Sequence, residues 1–95
     1  MTLRIALVMM VAACAAPQTP MERVTEAATT IYPRGTACLS FATEDDGDIA
    51  IREEHGGTCP GDPAVAPVID RFRVTDGELE RYDPADDSWP RFVAN

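Results

Sequence analysis

The chain has 95 residues, 45% of them apolar, and sets sixteen acids against eight arginines and no lysine, for a formal net charge of −8. That length holds one small domain and excludes a multidomain enzyme, a repeat array and a sustained coiled coil. The apolar fraction argues against wholesale disorder, and a surface this acidic repels phosphate, so nucleic acid is not an expected partner.

The chain opens with Arg4 and an uncharged run, Ile5 to Ala13, that continues through Cys14, Ala15 and Ala16. Twelve residues are too few to span a bilayer, which takes roughly 20, but they suit the apolar core of a signal peptide. Val11-Ala12-Ala13-Cys14 closes the run. It resembles the lipobox of bacterial lipoproteins, and the resemblance covers these first fourteen residues. It implies that the Cys14 thiol takes a diacylglyceryl group, that residues 1–13 are removed as a signal peptide, and that the mature chain is held on a membrane surface of the cell envelope. More than one acyl chain is needed for stable anchoring, at about 0.8 kcal/mol per buried CH₂. Ala13-Cys14-Ala15 also satisfies a small-x-small cleavage site, which would release a soluble secreted protein, and an uncleaved, weakly anchored start is a third outcome. Removing thirteen residues, Arg4 among them, leaves 82 and takes the net charge from −8 to −9. Residues 14–19 then form a tether and residues 20–95 the folded domain.

With Cys14 assigned to lipid, Cys38 and Cys59 remain. An even remainder in an exported chain reads as one disulfide. The loop spans 21 residues, worth about 3 kcal/mol in the chain-entropy treatment, in a domain too small for a large core. The rival is a reactive or metal-binding cysteine paired with His55, for which neither a C-x-x-C spacing nor further ligands are present.

Thr19-Pro20-Met21-Glu22 has the form of a capping box with Pro at the first helical position. Apolar Met21, Val24, Ala28 and Ile31 mark one helix face, and Pro33 and Gly35 end it, so the spacing predicts a helix over 20–32. Alternation at Ala37, Leu39 and Phe41 predicts a first strand. Glu44-Asp45-Asp46-Gly47-Asp48 predicts a turn into a second strand from Ile49 and Ile51. Gly and Pro exclude regular structure over 56–67. A third strand follows over Val68–Val74, with Val68, Phe72 and Val74 inward and Arg71 and Arg73 outward. Asp76-Gly77 turns into a fourth strand, Glu78–Asp83. The tail from Pro84 is expected to be irregular, with Trp89 and Phe92 available to cover the sheet. The fold class is therefore α+β, with one N-terminal helix packed on an antiparallel sheet of about four strands, pinned by one disulfide. This order is similar to PepSY-type helix-on-sheet exported modules.

His55-Gly56-Gly57-Thr58-Cys59-Pro60-Gly61-Asp62-Pro63, with the later Phe72-Arg73-Val74, resembles a segment of small uncharacterised exported bacterial proteins and brings no activity with it. Asp62 before Pro63 suits an Asx-type turn. His55, Asp62 and Asp70 form a candidate binding loop, with two readings: a metal or acid–base site, or a histidine bonded within its own loop. One histidine without defined ligand spacing favours the second. Asp45, Asp46 and Asp48 suggest calcium, but the EF-hand template would put Ala42 at its first ligand. Asp83, Asp86 and Asp87 read as a solvated tail. No G-x-S-x-G, H-E-x-x-H, P-loop or dinucleotide fingerprint occurs, so no catalytic residue, metal or cofactor is expected. The leading expectation is a non-catalytic, membrane-tethered binding domain of the cell envelope. The alternative is an acidic inhibitor of a basic envelope-attacking hydrolase such as lysozyme, since many negative charges speed encounter with a basic partner. A small metal-dependent enzyme built on His55 is a third class.

Overall fold

A computed structural model describes residues 17–93, so the segment read as a signal and Cys14 lie outside the described residues. Helix α1 runs Pro20–Ile31, followed by β1 Leu39–Thr43, β2 Ile49–Glu53, β3 Val68–Thr75 and β4 Glu78–Arg81. The strands form one antiparallel sheet in the order β1-β2-β3-β4, each paired with its neighbours in the chain.

Local chemistry sets the helix start. The Thr19 hydroxyl accepts the Glu22 N–H at 3.1 Å while Glu22 Oε1 accepts the Thr19 N–H at 2.8 Å, so two otherwise orphaned donors are satisfied. Tyr32 caps the other end, its N–H bonded to the Ala28 carbonyl at 2.9 Å. One face of α1 buries Val24, Ala27 and Ala28 against Ile49, Ile51, Phe72 and Leu79, while Met21, Ile31, Leu39, Phe41 and Val74 pack around that cluster. Fully burying one residue the size of Phe72 contributes about 2–3 kcal/mol. A direct strap reinforces the packing: Arg23 Nη1 donates to the Gly77 carbonyl at 2.6 Å, tying the first turn of α1 to the β3–β4 turn. In that turn Asp76 and Gly77 have φ of 51° and 80°, the double positive φ that matches the twist of a two-residue hairpin.

Cys38 and Cys59 are bonded, with Cα atoms 5.6 Å apart. The bridge fixes the long β2–β3 loop to the residue just before β1.

Two expectations change at the strand ends. Val68 is 36% exposed, and Asp70 holds the last seat on the helix-facing side of β3. The cause is a shift of register: Ile51 faces Asp70 but Arg52 faces Val68, so Ile69 is an extra residue without a direct partner. Such a bulge re-aims the strand end and turns Val68 away from the core. The fourth strand also ends two residues early, at Arg81, because the chain then enters a turn closed by Asp83 and Ser88.

The tail folds back along the outer edge of β4. Phe92 N–H donates to the Leu79 carbonyl at 2.8 Å and Arg81 N–H to the Pro90 carbonyl at 3.1 Å. The Phe92 ring meets Phe72 edge-on, with centroids 5.9 Å apart. Trp89 stays on the opposite side of the sheet.

Candidate functional site

The candidate binding loop leaves β2 at His55 and returns at Val68. His55 is held from both sides, with Nδ1 3.3 Å from the Asp62 carbonyl oxygen and Nε2 3.3 Å from Glu53 Oε1. Gly61 lies directly under the ring: a Cβ there would stand 2.8 Å from His55 Cγ, at a φ of +109° that side chains rarely adopt. Asp62 Oδ1 accepts the Ala64 N–H at 2.9 Å in an Asx turn. Gly56 and Cys59 exchange backbone bonds of 2.8 and 2.9 Å at the disulfide. The loop thus uses its histidine and aspartate to hold its own path. His55 meets the backbone of Asp62, whose carboxylate is turned to Ala64.

Asp70 has other partners. It sits on β3 under the C-terminal end of α1, and its side chain is 4% exposed. Oδ2 accepts the Tyr32 hydroxyl at 2.7 Å and Arg81 Nη2 at 2.9 Å; Oδ1 accepts Arg81 Nε and the Arg71 N–H, each at 3.1 Å. Four donors satisfy both carboxylate oxygens, which is what allows a charge at this depth. Burial, followed by the bond to Asp70, raises the Tyr32 hydroxyl well above its ordinary 10.0. The same carboxylate holds the Arg81 guanidinium more firmly protonated. Tyr32 and Arg81 carried no sequence signal of their own. The signal that could have found them was the phase of Asp70 with Phe72 and Val74, because a carboxylate on a core-facing position demands donors.

On the solvent side of the sheet the groups are charged and aromatic. Arg73 Nε donates to Glu80 Oε1 at 2.6 Å across the β3–β4 pair, which lowers the Glu80 carboxyl from its usual 4.5. The Arg73 guanidinium lies 4.4 Å from the Trp89 ring centre, and Tyr82 covers Trp89 from 5.1 Å. Arg52 pairs with Glu44 at 3.2 Å. Beside the β1–β2 turn, partial burial and then the neighbouring Asp46 raise the Asp48 carboxyl.

A groove of about 760 Å³ opens where β4 parts from β3. Its walls are the start of β3, the turn after β4 and the last described residues of the tail, with Asp70 and Arg81 at its base. The volume falls in the range of small-molecule and peptide clefts. Among the described residues, three of the four exposed large apolar side chains, Val68, Ile69 and Val93, line it. Among the described residues no three His, Cys, Asp or Glu side chains are arranged to hold a metal ion. No described helix is long and apolar enough to cross a membrane.

No family model, no curated protein and no solved structure matches the chain.

Proposed function

We propose that the chain is a lipid-anchored binding domain of the cell envelope, with no catalytic role, presented on the membrane surface by Cys14. The observation that carries the reading is the pairing of Cys38 with Cys59, which leaves the third cysteine of the sequence at the end of the Val11-Ala12-Ala13-Cys14 box. A disulfide belongs to an oxidising compartment, which is where a processed lipobox delivers its protein. The side chains with chemical potential support a non-catalytic role: His55 and Asp62 secure their loop, and the Asp70 carboxylate is saturated with donors. The lipid supplies the attachment and the acidic surface keeps the domain soluble beside it.

Intact-mass analysis of protein from the envelope tests this. The expected mature chain starts at Cys14 with a diacylglyceryl group and a Cys38–Cys59 bridge, and the Cys14→Ser variant leaves the detergent phase once its signal is removed. An unmodified start, or detergent partitioning that survives Cys14→Ser, overturns the anchor.

A second reading, inhibition of a basic hydrolase such as lysozyme, draws on the net charge of −8 and on exposed Asp45 and Asp46 in the β1–β2 turn. Retention on immobilised lysozyme at low salt, lost at high salt, is its expected outcome. Passage through the column at low salt removes it.

A further inference from the structure

We propose that the groove between β3 and the end of β4 seats an extended acidic peptide segment, added as a short strand beside Val68–Asp70. The inference rests on the reading of the chain as a binding domain and is independent of its lipid anchor.

Three observations converge. First, β3 outruns its neighbour. Its pairing with β4 covers Phe72–Thr75, and a single further backbone bond, from Tyr82 N–H to the Arg71 carbonyl at 2.9 Å, closes that side. Beyond it, residues 68–70 have, among the described residues, a strand neighbour only on the β2 side. A strand with one open edge is a template for main-chain pairing, and the bulge at Ile69 and the inward Asp70 confine that template to a short stretch.

Second, the apolar groups are in the right place. Val68, Ile69 and Val93 are exposed to 36, 37 and 66%. Alternate side chains of an added strand would cover them. Apolar exposure gathered at one groove marks an interaction surface more often than exposure scattered singly.

Third, the charge of the groove is opposite to that of the molecule. Arg71, Arg81 and Arg91 line it against Asp70 and Asp83. Asp70 is committed to Arg81, and Asp83 Oδ1 accepts the Ala85 N–H at 2.9 Å. Arg71 has no ion-pair partner within 4 Å among the described residues, and Arg91 reaches only Glu78, at 3.6 Å between two largely exposed side chains. A chain with net charge −8 therefore offers two weakly committed guanidinium groups beside an apolar edge. That set selects carboxylates flanking apolar residues and discriminates against a basic segment.

The test uses the full chain in non-ionic detergent solution, which keeps it dispersed with or without a lipid, titrated with fluorescein-labelled peptides of sequence EVEVEV and KVKVKV. Saturable binding of the acidic peptide, about tenfold or more tighter than the basic one, is expected. Hydrogen exchange should slow at residues 68–70 when it binds. Ile69→Glu and Arg71→Ser change exposed or half-exposed side chains, so each should weaken binding about tenfold with an unaltered circular dichroism spectrum. Equal binding of the two peptides, unchanged exchange at 68–70, or saturation by dodecanoate with no peptide binding overturns the proposal. A failed anchor appears in the intact mass and a failed groove in the titration, so the two readings fall separately.

Discussion

The two faces of this sheet are stabilised in different ways. Under α1, Ile49, Ile51 and Phe72 are at most 2% exposed and meet Val24 and Ala28 in a close-packed layer. On the other face, Arg52, Arg73, Glu80, Tyr82 and Trp89 form ion pairs and stacks that remain partly wet, with the Arg73 side chain 39% exposed. The first face excludes water and carries the folding free energy. The second satisfies charge and keeps the surface ordered at little net gain, because exposed pairs are worth about 1 kcal/mol or less. A small domain can therefore have one rigid side and one adaptable side on the same four strands.

Mutation should expose that asymmetry. Phe72→Ala opens a cavity at the centre of the covered face and is expected to cost about 3–5 kcal/mol, enough to unfold much of a domain this size. Urea denaturation followed by circular dichroism reads it, and a loss below about 1 kcal/mol would mean that the core lies elsewhere.

The seam between the two regimes is the Tyr32–Asp70–Arg81 network, and it should show itself in alkali. Tyr32 in the folded protein titrates above its unfolded value of 10.0, so the native state favours the protonated phenol. Its contribution is fully present below pH 10 and is lost as pH rises through the higher folded value. Stability measured by denaturant midpoint should therefore decline above pH 10, and Tyr32→Phe should flatten that decline while costing about 1 kcal/mol at neutral pH. An identical alkaline slope in the variant would remove Tyr32 as its source.

The smallest effect belongs to the wet face. Arg73→Ala removes the Trp89 stack and the Glu80 pair together, yet should cost only about 1 kcal/mol, with a change in tryptophan emission as the clearer signal. The folded Glu80 carboxyl is held below its ordinary 4.5 by Arg73, so whatever this pair adds is present above pH 4.5 and disappears as pH falls through the folded value. Losing that acid dependence in Arg73→Ala would sharpen the contrast with Phe72.

Much of this was legible in the residues. The capping box at Thr19 and Glu22, the apolar stripe of Val24 and Ala28, the alternation at Ile49 and Ile51 and the turn at Asp76-Gly77 are short-range patterns, and each formed the expected element. The even pair of cysteines announced its bridge. The candidate site was less legible. His55, Asp62 and Asp70 are close in sequence, but the alternation with Phe72 puts Asp70 on the helix side of the sheet, while Gly61 folds the loop beneath His55. Arg71, Arg81 and Arg91 are spread over twenty residues, and no local pattern shows that they line one groove.

The sequence by itself determined the element types, their order, the antiparallel connections and the one covalent tie, because periodicity, turn chemistry and cysteine parity act over a few residues. Only the tertiary structure decided which donors meet the buried carboxylate, which arginines gather, and where the strand edge is left open. Those outcomes depend on register and on the path of the tail, where a single extra residue at Ile69 moves a side chain from one face to the other.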